Sequence, residues 1–146
     1  MYNILQHAHS GLRWIILILL LVSIFGSFTK RKKSSFSDSD KKTYLFTMTF
    51  AHIQVLLGAI LYFISPKVQF TAGMMKDAFA RFYAVEHSSM MLVAIILITI
   101  GYSRSKKADT VNGKHKAISI FYTIALLVIL AAIPWPFREG LGGSWF

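Results

Sequence analysis

Residues 7–28 read HAHSGLRWIILILLLVSIFGSF, an apolar stretch that begins with two histidines and an arginine. A helix needs about 20 apolar residues to span the hydrocarbon core of a bilayer, so this stretch predicts a membrane span. His9 and Arg13 are four residues apart, which places them on one helical face, one turn from each other. Ionisable groups at membrane depth are rare unless they are paired or functional, so this face predicts a buried site.

Three further apolar stretches have a similar length. We expect spans at about residues 5–28, 43–65, 80–102 and 117–136, which together use most of the 146 residues. Hydrophobic residues make up 55% of the chain and charged residues only 15%, a composition unlike that of a soluble domain. The sequence therefore predicts an all-α fold: a single integral membrane four-helix bundle of residues 1–146, running up-down-up-down.

The formal charge of +10 is concentrated in two connecting loops. The cations that follow the first and third spans are Lys30, Arg31, Lys32, Lys33, Lys41, Lys42, Arg104, Lys106, Lys107, Lys114 and Lys116. Lysine and arginine mark the cytoplasmic side of membrane proteins, so we expect both termini to lie outside. Topology and contact with anionic lipids account for the charge, and nucleic acid is not an expected partner. A basic cluster follows the first span and none precedes it, so we expect this span to be retained rather than cleaved.

The chain has no cysteine, which limits its metal chemistry. Thiolate zinc sites, iron–sulfur clusters and covalently attached c-type haem all require cysteine. A redox metal in this bundle must therefore be held by histidine, methionine or carboxylate side chains.

Each of the first three predicted spans contains a histidine at membrane depth. These residues are His9, His52 and His87. The second of them lies among small side chains, and the third follows Glu86. The fourth span has no charged residue in its interior, so we expect it to be a structural wall. We expect His7 to be interfacial and His115 to be solvated in a basic loop.

Depth in the membrane decides which histidines can meet. With a rise of about 1.5 Å per residue, His9 lies about 10 Å and His87 about 7 Å outward of the span midpoints, whereas His52 lies about 3 Å inward. Helices one and three are diagonal in an up-down bundle, so we expect His9 and His87 to face each other. Helix tilt can erase several ångströms of depth difference, which leaves His52 with His87 as the rival pair.

Two imidazoles facing each other across a bundle suit the axial positions of one haem b, with both histidines as metal ligands. Arg13 would then pair with a haem propionate or with Glu86, since either partner reduces the cost of holding a guanidinium in a low-dielectric setting. A further alternative is a copper or zinc site built from His9, His52, His87 and Glu86, although the depths of these residues differ.

The segments HSGLRW, LYFISP, VEHxxMM, LITIG and IPWPF resemble a group of short bacterial four-span membrane proteins labelled cytochrome b-like. The resemblance covers nearly the whole chain. It implies the bacterial inner membrane, haem b and electron transfer, carried here onto His9, His52 and His87. The large cytochrome b subunits of quinol oxidoreductases have two histidines on each of two helices; this chain does not, which implies one haem at most.

Two functions from different classes follow. In the first, the chain is a small membrane cytochrome that holds haem near the outer leaflet and exchanges electrons with quinol or a partner membrane subunit. In the second, it is a cofactor-free accessory subunit of a larger membrane complex. In that case Arg13, Glu86, His9 and His87 form a polar network that fixes helix packing. A visible absorption spectrum distinguishes the two.

Overall fold

The computed structural model describes residues 1–33 and 35–145. These residues contain no strand and form four long helices, which are α1 (Tyr2–Lys30), α2 (Asp38–Ile64), α3 (Ala78–Lys107) and α4 (Val111–Ala132). Each helix is long and apolar enough to cross a membrane. The prediction of an all-α four-helix membrane bundle is confirmed.

Helices that follow each other in the chain also pack against each other. α1 packs against α2 and α4, α3 packs most closely against α4, and α2 meets α3 more loosely. The four helices thus form a ring in chain order, as short connections in an up-down bundle require. This arrangement places α1 and α3 on one diagonal and leaves the side between α2 and α3 the least filled.

The interior and the outer surface of the bundle are both apolar. Leu20, Ile98, Ile118 and Tyr122 are completely or almost completely buried in the centre. Large hydrophobic side chains on every helix are instead exposed on the outside, where lipid chains replace water as the solvent. α3 and α4 approach closely at Gly101, where an added Cβ would lie 2.7 Å from Cβ of Phe121.

α3 is not regular along its length. It begins as an α-helix at Ala78–Arg81, continues as a π-helix over Phe82–Glu86 and becomes α-helical again over His87–Lys107. A π-helical turn has i to i+5 hydrogen bonds and holds one residue more than an α-helical turn. Such turns are frequent at functional sites, and this one ends directly before His87.

At the end of the bundle that carries the basic loops, the prediction for His115 is wrong. His115, expected to be solvated, is fully buried, and its Nδ1 lies 2.8 Å from the hydroxyl of Tyr44. The reason is that α4 starts earlier than predicted. Thr110 caps its first turn by accepting a hydrogen bond from the amide of Gly113, so position 115 is already helical and faces the core.

At the opposite end the chain folds back after α4. We call Leu141–Trp145 the C-terminal strap, and its carbonyl oxygens accept hydrogen bonds from α1 and α3. Gly143 is needed for this packing, because an added Cβ would lie 1.8 Å from the carbonyl oxygen of Pro134. The rings of Trp14 and Trp135 lie about 6 Å from that of Trp145, at centroid distances of 6.2 and 6.1 Å.

Candidate functional site

A cavity of about 380 Å³ lies in the bundle at the end that carries the C-terminal strap. This volume is within the range of about 300–1,000 Å³ that is typical of small-molecule and cofactor sites. Its lining is mostly apolar, with a few polar groups from α1, α2 and α3. Phe63 and Leu92 also line it, and they are 86% and 55% exposed, so the cavity reaches the lipid-facing surface on the side of α2 and α3.

His9 and His87 meet in this cavity. Their ring centroids are 6.4 Å apart, and the ring planes are inclined at 69°. Two imidazole nitrogens that each lie about 2 Å from one metal ion place their ring centroids roughly 6 Å apart. The structure therefore brings together the two histidines that depth matching selects, at a spacing that suits one metal ion between them.

His87 is oriented by the end of α4. Its Nδ1 lies 2.8 Å from the carbonyl oxygen of Ala132, and because a carbonyl only accepts, Nδ1 carries the hydrogen. The last carbonyls of a helix have no partner within the helix, so His87 also completes the end of α4. Metal-binding histidines commonly donate their second N–H to a backbone carbonyl in this way. The remaining nitrogen, Nε2, keeps a lone pair for a ligand.

His9 is held by α2. Its backbone carbonyl accepts a 2.8 Å hydrogen bond from Nε2 of Gln54. Its ring fits against Gly58, where an added Cβ would lie 3.2 Å from Cε1 of the imidazole. Among the described residues, Nδ1 of His9 is buried without a hydrogen-bond partner. Buried polar atoms without a hydrogen-bond partner are rare in native proteins. They indicate that the partner is not a protein atom.

Arg13 binds the C-terminal strap. Its Nη2 donates to the carbonyl oxygens of Trp145 at 2.7 Å and Ser144 at 3.3 Å. The guanidinium carbon also lies 5.4 and 6.0 Å from two tryptophan ring centroids. Its Nε is buried and has no hydrogen-bond partner in the described part of the chain. Among the described residues, the contacts of this guanidinium are backbone carbonyls and aromatic rings.

The structure does not form the predicted pair of Arg13 with Glu86. Glu86 instead accepts a 2.6 Å hydrogen bond from Nε of Arg81, five residues earlier on α3. In a regular α-helix two residues five apart would point about 140° away from each other, but the π-helical turn between them brings them to one side. Glu86 does not line the cavity.

His52 lies outside the cavity. It is exposed on α2, with Nδ1 2.8 Å from the carbonyl oxygen of Met48 and Nε2 3.4 Å from the hydroxyl of Thr99. Gln54, two residues later and therefore about 200° around the helix, lines the cavity instead. The rival pair of His52 with His87 is not brought together.

The described residues contain no group of three or more histidine, aspartate or glutamate side chains placed to hold a metal ion. The alternative of a four-residue copper or zinc site is therefore not assembled. His7 is exposed at the start of α1 and takes no part in the cavity.

Several cavity residues have no clear signal in the sequence. Tyr83 donates a 2.7 Å hydrogen bond to the carbonyl oxygen of Leu141 in the strap, and Lys67 donates one of 3.3 Å to that of Gly142. Both contacts join positions more than fifty residues apart, so spacing along the chain gives no indication of them. Gln54 had one available signal, because an amide inside an apolar span needs a partner.

The cavity thus combines two facing imidazoles, an apolar wall and cations on the strap side. This combination offers imidazole nitrogens, an apolar surface and positive charge to a ligand in the cavity. Comparisons of the chain with models of protein families, with curated proteins and with solved structures give no match.

Proposed function

We propose that the chain is a small membrane cytochrome that binds one haem b between His9 and His87 and exchanges electrons with a quinol or a partner membrane subunit. The observation that carries the proposal is the 6.4 Å separation of the two imidazole centroids across the diagonal of the bundle. Haem, when bound, would supply a one-electron redox centre, and His9 and His87 would hold it.

The residues of the cavity fit this group. Two histidines suffice for haem because the macrocycle provides the other nitrogen ligands, whereas a structural zinc ion takes four ligands from the protein. Nε2 of His87 is the nitrogen left free by its bond to Ala132, and His9 has a buried nitrogen without a partner among the described residues. The apolar wall, which includes Met91 and Ile95, would exclude water from the ring faces.

The opening of the cavity supports a partner that arrives through the membrane. Phe63 and Leu92 are exposed and line the cavity on the loosely packed side between α2 and α3. A lipid-soluble quinol would approach the site from this side without crossing the aqueous phase. The asymmetry of lysine and arginine supports an orientation with both termini outside, in the inner membrane that the sequence resemblance implies.

The test is a reduced-minus-oxidised absorption spectrum of protein purified after expression with ample haem. We expect the spectrum of a low-spin b-type haem. His9→Ala and His87→Ala should each abolish it, because each removes one of the two histidines that would hold the haem. His52→Ala is the matched control, since it removes a histidine of the same bundle that lies outside the cavity, and it should retain the spectrum.

Loss of haem in His52→Ala with retention in His9→Ala would move the site to α2 and α3 and contradict the proposal. Protein that is folded but contains no haem, and takes up none on titration, would reject the cytochrome function altogether.

The second candidate is a cofactor-free accessory subunit. It is favoured by the contacts of Arg13, whose guanidinium binds two carbonyls of the strap and so joins α1 to the C-terminal segment. For this function, titration with haem should leave the thermal unfolding temperature of the protein unchanged. A bound cofactor would raise it, because a ligand that binds only the folded state stabilises that state.

A further inference from the structure

We propose that Arg13 and Lys67 form an anion subsite along the C-terminal strap, and that this subsite binds the carboxylates of an amphiphilic ligand in the cavity. The inference rests on the proposed function for the identity of that ligand, whose carboxylates would be the haem propionates. It adds Lys67 to the site and fixes an orientation: the anionic edge of the ligand lies against the strap.

Lys67 is a half-buried cation at the edge of the cavity. Its ammonium nitrogen donates to the carbonyl oxygen of Gly142 at 3.3 Å and lies 5.2 Å from the ring centroid of Tyr83. Burial lowers the pKa of Lys67, since removal from water disfavours its charged form. A carboxylate beside the ammonium nitrogen would compensate for the hydration that its charge loses on burial.

Arg13 is the second cation that contacts the strap and lines the cavity. It donates to the carbonyls of Ser144 and Trp145, two and three residues after the carbonyl that Lys67 contacts. Its buried Nε has no hydrogen-bond partner in the described part of the chain. The two cations thus face one short segment and the same cavity.

No described residue that lines the cavity is acidic. The two ion pairs found among the described residues, Lys30 with Asp40 and Arg81 with Glu86, lie outside it. Within residues 1–33 and 35–145, the cavity therefore carries two positive charges whose contacts are backbone carbonyls and aromatic rings. An anionic ligand group would add to each cation a Coulombic attraction that a neutral carbonyl does not provide.

The test compares two ligands that differ only in charge. Haem and its dimethyl ester share one macrocycle, and the ester has no carboxylate. Haem-free protein in detergent is titrated with each ligand, and binding is followed by quenching of tryptophan fluorescence. All three tryptophans lie beside or within the strap, which makes this readout local and independent of electron transfer.

We expect the wild-type protein to bind haem at least about tenfold more tightly than the ester, from the strength of a charge-assisted hydrogen bond. Arg13→Gln and Lys67→Gln should each reduce this preference about tenfold, measured as the ratio of the affinities for haem and ester in the same variant. Lys67→Arg should keep it. Lys76→Gln is the control, because Lys76 is an exposed cation of the same loop that does not line the cavity.

Equal affinity of the wild-type protein for haem and ester would overturn the subsite. If neither macrocycle binds, the haem function fails, and the subsite is tested with a long-chain fatty acid and the alcohol of the same length. Preference for the acid that is lost in Lys67→Gln supports the subsite with a different amphiphile. Absence of preference in this second series overturns it as well.

Discussion

Gly143→Ala should detach the C-terminal strap from the bundle. An added Cβ would lie 1.8 Å from the carbonyl oxygen of Pro134 and 2.7 Å from its carbonyl carbon. Both neighbours are backbone atoms, so no side chain can rotate away to make room. The strap must therefore leave its present position, and the hydrogen bonds that depend on this position are lost with it.

The magnitude follows from the bonds that hold the strap. Two cations, Arg13 and Lys67, and two neutral donors, Trp14 and Tyr83, donate to its carbonyl oxygens. Hydrogen bonds contribute about 1 kcal/mol each when neutral and about 1.5–3 kcal/mol when charged, so the two neutral and three charged bonds give roughly 6.5–11 kcal/mol before the entropy of ordering the strap. We expect Gly143→Ala to lower the free energy of opening the strap by at least about 3 kcal/mol. The population of the open state then rises roughly a hundredfold.

Limited trypsin digestion in detergent measures this opening. Arg138 precedes the strap, and its side chain is held by the carbonyls of Ala131 and Ile133, so cleavage after it should be slow in the wild-type protein. Mass spectrometry should show much faster release of residues 139–146 from Gly143→Ala. Gly73→Ala is the control, since nothing lies within 4 Å of an added Cβ there. Equal release rates for the two variants would refute the proposed role of Gly143.

Three further predictions concern other parts of the bundle. Gly58→Val should displace the ring of His9 and abolish the haem spectrum while the protein stays folded by circular dichroism, because even one added carbon would lie 3.2 Å from that ring; retention of the spectrum would contradict this. Gly101→Ala should lower the unfolding free energy by about 1–3 kcal/mol relative to Gly26→Ala, since its Cβ would meet Cβ of Phe121 at 2.7 Å whereas nothing lies near Gly26; equal denaturation midpoints would count against it. An alkaline phosphatase reporter at the C-terminus should be active, and activity only in the two basic loops would reverse the orientation.

The four spans and the diagonal arrangement were predictable because they depend on few quantities. Span length and apolar composition determine where the chain crosses a membrane, and short connections place consecutive helices side by side. Depth along each helix then follows from the rise per residue. The structure accordingly brings the ring centroids of His9 and His87 to within 6.4 Å of each other, although the two residues are far apart in the sequence.

The partners of the charged residues were not predictable in the same way. Arg13 binds backbone carbonyls more than 130 residues away, and carbonyls are present at every position, so they leave no sequence signature. Glu86 reaches Arg81 only because a π-helical turn separates them, and a single sequence gives no reliable sign of such a turn. The burial of His115 depended on where α4 begins, for which Thr110 was an available N-cap signal.

The end of α4 links the histidine pair to the strap, yet the two should respond differently when the strap opens. The carbonyls of Leu130 and Ala131 accept hydrogen bonds from Trp135 and Arg138, residues of the segment that follows the helix. The next carbonyl, that of Ala132, accepts from His87 on α3. The hydrogen bond that orients His87 is therefore made to the last turn of α4 and not to the strap. Detachment of the strap should remove the carbonyl acceptors of Arg13 and Lys67 while the imidazole pair stays in place. Gly143→Ala should therefore change the preference for haem over its ester without loss of the haem spectrum.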